Sequence, residues 1–220
     1  MDFEIFKQIA DFGVVPVIAI ESAEQALPLA DALIAGGLPL AEITFRTDAA
    51  ADVISTIAKN RPEMIVGAGT VINPATVSIA RAAGASFAVA PGLNSRVLGT
   101  AFACGLPFIP GTANPSDVEI GLELGCKLLK FFPAEALGGT KLLSAIYAPY
   151  KHTGVKFMPT GGVTPENLES YLKLPAVAAV GGTWLAKPAD IAAGNWDEIT
   201  ARCKAAREVV LRLREAQAKN

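Results

Sequence analysis

Short runs of apolar, largely β-branched residues alternate along this chain with stretches whose apolar positions recur every three to four residues. The runs read as strands over 14–20, 40–46, 65–69, 87–91, 107–110, 128–133, 156–160 and 176–181. The periodic stretches read as amphipathic helices over 23–35, 49–59, 74–83, 95–103, 116–123, 139–147 and 165–172. A helix over about 2–12 precedes the first strand, and one over about 196–216 closes the chain. Asn73-Pro74, Asn114-Pro115 and Thr164-Pro165 each set a capping residue before a helix-opening proline. Gly36-Gly37, Gly84, Gly105 and Gly125 mark helix ends.

Strands separated by helices must pair in parallel through crossovers. Eight such units predict an α/β fold, a (β/α)8 TIM barrel with an extra N-terminal helix. An open doubly wound sheet is the rival, disfavoured because no GxGxxG follows the first strand. No linker or low-complexity segment divides the sequence, so residues 1–220 read as a single barrel domain.

Composition narrows the chemistry. Of 220 residues 51% are hydrophobic, and the formal net charge of −2 comes with scattered rather than blocked lysines and arginines. Neither a nucleic-acid stripe nor a polybasic membrane anchor is expected. The N-terminus carries early acidic residues and does not read as a secretory signal. No apolar run reaches the roughly 18 residues of a membrane span, so the expected location is the cytoplasm. The three cysteines, Cys104, Cys126 and Cys203, are widely spaced and read as small apolar fillers in a reducing compartment. The single histidine, His152, reads as a surface loop residue, which disfavours Ser-His-Asp or Cys-His triads and multi-histidine metal sites.

What remains for chemistry is Lys, Glu, Arg and hydroxyls. Lys130 lies inside the apolar run Leu128-Leu129-Lys130-Phe131-Phe132-Pro133. A lysine removed from water favours its neutral amine, the form that attacks a ketone to make a Schiff base. It could instead snorkel from a strand end or serve only as an ion pair. In Glu42-Ile43-Thr44-Phe45-Arg46-Thr47, alternation puts Glu42, Thr44 and Arg46 on one face, expected to point into the barrel. A Glu–Arg pair filling that interior is the structural alternative. The second and sixth strands are both even-numbered, so Lys130 and Glu42 can meet across the axis in one interior layer. Glu42 would then move the protons that a Schiff base requires, and Arg46 could clamp a substrate carboxylate. This division of labour needs no metal and no organic cofactor.

Thr160-Gly161-Gly162-Val163 ends the seventh strand and Gly181-Gly182-Thr183-Trp184 the eighth. Loops at those positions commonly form a barrel's phosphate site, and paired glycines admit close approach of backbone N–H groups. Thr70, after Gly67-Ala68-Gly69, can donate to a carboxylate or a water. Pro91, before Gly92, shapes a wall. Gly111-Thr112 can belong to the same rim.

Taken together, Glu42–Thr47, Val66-Gly67-Ala68-Gly69-Thr70-Val71, Ala90-Pro91-Gly92-Leu93, Lys130-Phe131-Phe132-Pro133-Ala134-Glu135, Pro159–Val163 and Gly181–Trp184 resemble the class I 2-keto-3-deoxy-6-phosphogluconate (KDPG) and 4-hydroxy-2-oxoglutarate aldolase family. The resemblance implies cleavage of KDPG to pyruvate and glyceraldehyde 3-phosphate in the Entner–Doudoroff pathway, and in some members cleavage of 4-hydroxy-2-oxoglutarate. It makes Lys130 the Schiff-base lysine and Glu42 the general acid/base. Arg46 and Thr70 would hold the pyruvate carboxylate, Phe132 would flank the imine, and Thr160 would contact the substrate. Gly161, Gly162, Gly182 and Thr183 would cradle the phosphate, with Thr183 standing where the family often has serine. It also implies a homotrimer and a small phosphorylated keto-acid as the only partner. A galactonate-derived aldolase is the nearest rival. A non-covalent phosphosugar isomerase or epimerase and a non-catalytic phosphometabolite-binding barrel are the competing classes.

Overall fold

The computed structural model describes residues 4–218. Its strands are β1 (Val14–Ile18), β2 (Leu40–Thr44), β3 (Ile65–Gly69), β4 (Phe87–Val89), β5 (Phe108–Ile109), β6 (Gly111–Thr112), β7 (Leu128–Phe131), β8 (Lys156–Pro159) and β9 (Val180–Gly182). Every pairing is parallel. One sheet runs β5-β4-β3-β2-β1-β9 and the other β6-β7-β8. Isolated parallel bridges, Phe157 to Val177 and Thr160 to Gly181, lie between the β8 and β9 regions.

The strands expected over 14–20, 40–46, 87–91 and 128–133 end two residues early, at Ile18, Thr44, Val89 and Phe131, and two others differ more. The fifth, expected over 107–110, is found as β5 and β6 on either side of Pro110. Proline has no N–H to give to a ladder, which divides the run. Its carbonyl still accepts from the Lys130 N–H at 2.8 Å. The eighth, expected over 176–181, is only Val180–Gly182, because residues 176 and 178 turn or bend instead of extending.

The expected helices are present, and three begin at the anticipated prolines: Pro74–Ala82, Pro115–Glu123 and Pro165–Leu172. The Asn73 and Asn114 side chains accept from the N–H groups of Thr76 and Asp117 at 2.9 and 3.0 Å, as their positions before those prolines predict. A short helix, Pro188–Ala193, carries no strong periodicity and escapes the sequence reading. The opening helix is Glu4–Phe12; residues 2 and 3 of the expected helix lie outside the described residues.

The core has two parts. The larger lies between strands and helices. The smaller gathers Ile9, Val15, Leu40, Phe87, Val89, Ile109, Leu128, Met158 and Ala179, which come from most of the strands. Leu40 and Leu128 start their strands, so this second cluster lies toward the amino ends. The Glu4–Phe12 helix covers it, with Ile5, Phe6, Ile9 and Phe12 on one helical face. Ile9 is fully buried there, a contribution of about 1.5–3 kcal/mol.

Strand side chains repeat their facing every two residues. One step beyond Leu40, Leu128 and Met158 stand Glu42, Lys130 and Thr160. A dry apolar layer at the amino ends therefore supports a polar layer at the carboxyl ends.

Candidate active site

β2 carries Glu42 and β7 carries Lys130, and the two side chains meet. Lys130 Nζ lies 3.3 Å from Glu42 Oε1, with Glu42 fully buried and Lys130 5% exposed. Of the alternatives open from sequence, snorkelling is removed by this burial. The Glu–Arg pair is replaced by a Glu–Lys pair. Glu42 Oε2 is buried with no protein partner among the described residues. An unsatisfied buried oxygen costs about 1–3 kcal/mol.

The glycines of β3 make this possible. A Cβ on Gly69 would come 2.4 Å from Glu42 Oε1, and one on Gly67 would come 2.3 Å from the Phe87 ring. The Val-Gly-Ala-Gly-Thr string thus opens one space for the carboxylate and another for the aromatic plug below it. At its end, Thr70 has φ +58, a positive φ found at no other non-glycine residue described. A β-branched residue held there costs about 1–3 kcal/mol, a strain that concentrates at functional sites.

Arg46, expected to point into the barrel with Glu42 and Thr44, instead stands beyond the end of β2 and is exposed, because the strand stops at Thr44. Its Nε donates to Thr44 Oγ1 at 3.1 Å, and Thr44, buried, donates in turn to the Ile18 carbonyl at 2.9 Å. Alternation placed Thr44 on the inner face without a role; the structure makes it the anchor of Arg46. Phe132 follows β7, with its ring centroid 5.5 Å from Lys130 Nζ, within cation–π reach. Pro91 is half-buried after β4, and its carbonyl crosses so near Gly111 that a Cβ there would lie 2.1 Å away.

The two glycine loops lie at the ends of β8 and β9. Thr160 is buried, and a Cβ on Gly181 would come 2.2 Å from Thr160 Oγ1, so Gly181 makes room for that side chain. Gly182 lies beneath the Trp184 ring, and Thr183 is exposed. Gly161 and Gly162 have φ +95 and +81, the left-handed region where glycine is favoured. No protein acceptor among the described residues takes their N–H groups.

His152 is exposed in a short turn, as expected. Cys126 and Cys203 are buried, and burial pushes their thiols up to about 11 and about 12. Cys104 departs from the filler expectation: it is exposed just past a helix end. No helix among the described residues is long and apolar enough to cross a membrane.

The sequence model of KDPG and KHG aldolases matches residues 5–202. The chain belongs to this aldolase family. It is an enzyme of the lyase type, built as an α/β fold of parallel strands. It is 47% identical over 197 residues to the KHG/KDPG aldolase of Escherichia coli strain K12, with 90% of each chain covered. The KDPG aldolase of Legionella pneumophila, solved with pyruvate captured at low pH as a covalent carbinolamine intermediate, is 42% identical. It superposes with a TM-score of 0.87 over 91% of this chain and 97% of that one. The KDPG aldolase of Zymomonas mobilis ZM4, solved with 3-phosphoglycerate, is 40% identical, with a TM-score of 0.83 over 92% and 94% of the two chains.

Proposed function

We propose that this chain is a Schiff-base aldolase that cleaves 2-keto-3-deoxy-6-phosphogluconate to pyruvate and glyceraldehyde 3-phosphate, and also splits 4-hydroxy-2-oxoglutarate to pyruvate and glyoxylate. The observation that carries it is the buried Lys130–Glu42 contact at 3.3 Å, in a chain of this family. A carbinolamine with pyruvate in the Legionella relative supports covalent chemistry, and a bound phosphate ester in the Zymomonas relative supports a phosphorylated substrate.

In this reading the Lys130 amine adds to the C2 ketone, and the carbinolamine loses water to leave an iminium. Cleavage of the C3–C4 bond sends its electron pair into the iminium as an enamine, while the C4 hydroxyl gives up its proton. The aldehyde leaves; C3 is then protonated, and water releases pyruvate and the free amine. Glu42, whose second oxygen has no protein partner among the described residues, carries the protons. Arg46 and Thr70 hold the carboxylate, Pro91 and Phe132 wall the imine, and Thr160 contacts the substrate chain. The open N–H groups of Gly161 and Gly162, with Gly182 and Thr183 opposite, take the phosphate. Gly181 serves this site by admitting Thr160.

Release of pyruvate from KDPG, followed through lactate dehydrogenase, tests the proposal directly. Turnover with KDPG is expected, and none at high enzyme concentration would leave only a binding protein. A galactonate-type enzyme would instead turn over the C4 epimer faster.

We also infer that the strands close into an eight-stranded (β/α)8 barrel forming one domain, with β5 and β6 as halves of one strand. The parallel bridges between the β8 and β9 regions and the shared inner core support this. A crystal structure leaving β8 and β9 apart would refute it. A homotrimer follows from the same reading. Its support is the exposed isoleucines Ile72, Ile79 and Ile120, with Leu124, on or beside the helices Pro74–Ala82 and Pro115–Glu123. Sedimentation equilibrium should give about three times the 22.8 kDa chain mass; the mass of one chain at micromolar concentration would refute it. The three free cysteines support a cytoplasmic site of action, which cell fractionation tests.

A further inference from the structure

The glycine loop after β8 is held from its carbonyl side. The carbonyls of Thr160, Gly161 and Gly162 accept, in order, from the Ala134 N–H at 2.8 Å, the Glu135 N–H at 3.0 Å and Asn167 Nδ2 at 3.2 Å. Three consecutive acceptors are thus tied back, while the N–H groups of Gly161 and Gly162 meet no protein acceptor among the described residues.

Asn167 has a second contact: its Oδ1 accepts from the Thr164 N–H at 2.8 Å, closing the start of the helix Pro165–Leu172. An amide side chain offers an acceptor and a donor at once, on separate atoms. Glu135 braces the loop by packing as well, since a Cβ on Gly162 would come 2.6 Å from Glu135 Cβ. The Glu135 carboxylate is turned toward Gly139, where its Oε1 accepts from the Tyr171 hydroxyl. Tyr171 is fully buried and lies four residues after Asn167, on the same side of one helix. Burial and the neighbouring carboxylate hold its phenol protonated, hence a donor. Without that donor, a carboxylate beside the loop would be free to swing and oppose an anion.

We infer that Asn167 and the Tyr171–Glu135 pair are positioning residues that hold the glycine loop with its amides toward a substrate phosphate, and so set the preference for phosphorylated over unphosphorylated keto-acids. This rests on the aldolase reading above. None of the three acts on the reacting atoms.

The experiment compares Asn167→Ala, Asn167→Asp and Tyr171→Phe with the unmodified protein, using KDPG, 4-hydroxy-2-oxoglutarate and inorganic phosphate as a competitive inhibitor. Each variant should raise the KM for KDPG and the inhibition constant of phosphate by roughly 3–10-fold, the loss of about one positioned hydrogen bond. The kcat for KDPG, and both constants for the unphosphorylated substrate, should stay within about twofold of the unmodified protein. Asn167→Asp retains the acceptor for Thr164, so it keeps the helix cap and serves if Asn167→Ala does not fold. A merely structural role would lower activity on both substrates in parallel. That result, or a KM for KDPG unchanged in Asn167→Asp and Tyr171→Phe, overturns the inference. If the unmodified protein neither cleaves KDPG nor responds to phosphate, the aldolase reading itself fails, and the inference with it.

Discussion

Borohydride added in the presence of pyruvate is expected to leave one reduced pyruvyl group on Lys130 and to end activity irreversibly. Lys130→Met should show no adduct and lose roughly 10⁵–10⁶-fold in kcat, the scale seen when a covalent nucleophile is removed. The size of the effect follows from the surroundings. The amine is buried, within hydrogen-bonding reach of one carboxylate, and beside an aromatic ring. Methionine keeps the unbranched length and packs among apolar neighbours, so folding should survive even though Glu42 loses its partner. Peptide mapping of the reduced protein checks this result. A modified lysine elsewhere, or full activity in Lys130→Met, would discard the Schiff-base assignment.

Glu42→Gln is expected to bind pyruvate yet lose turnover by roughly 10²–10⁴-fold, the contribution of a positioned proton-transfer group. Glutamine is nearly isosteric and fits the space opened by Gly69, so the loss should be chemical, not structural. Glutamine can still accept from the lysine, but it cannot shuttle a proton. Single-turnover measurements should separate the steps: carbinolamine formation slows little, while dehydration and exchange of the pyruvate methyl protons slow most. Unchanged kcat would mean that another group is the base. Removing one member of a buried ion pair also costs stability, up to about 3–5 kcal/mol, so a melting curve should accompany the kinetics.

Much of this was legible from the sequence because period-two alternation places Glu42 and Thr44 on one face without reference to the rest of the chain. The Asn-Pro caps were legible for the same reason: the capping interaction is local. Elsewhere local signals misled. Pro110 looked like the end of the fifth strand, yet β6 begins directly after it and supplies the Gly111 partner of Lys130. Residues 176–179 are apolar enough for a strand but fold as turns and bends, with Val177 alone bridging Phe157. In the sequence Gly67 and Gly69 mark only the end of the third strand, with no role of their own. Their function is to leave space for Phe87 and Glu42, which only packing can show.

The sequence by itself determined the order of strands and helices, the inward face of β2, and the residue types available for chemistry, because these depend on neighbours a few positions away. The tertiary structure alone decided that Glu42 partners Lys130 instead of Arg46, across 88 positions. It alone also decided that Asn167, Glu135 and Tyr171 converge on one glycine loop. Contacts of that range are set by how strands register and how helices pack over them, and no local pattern encodes a distance between segments that far apart.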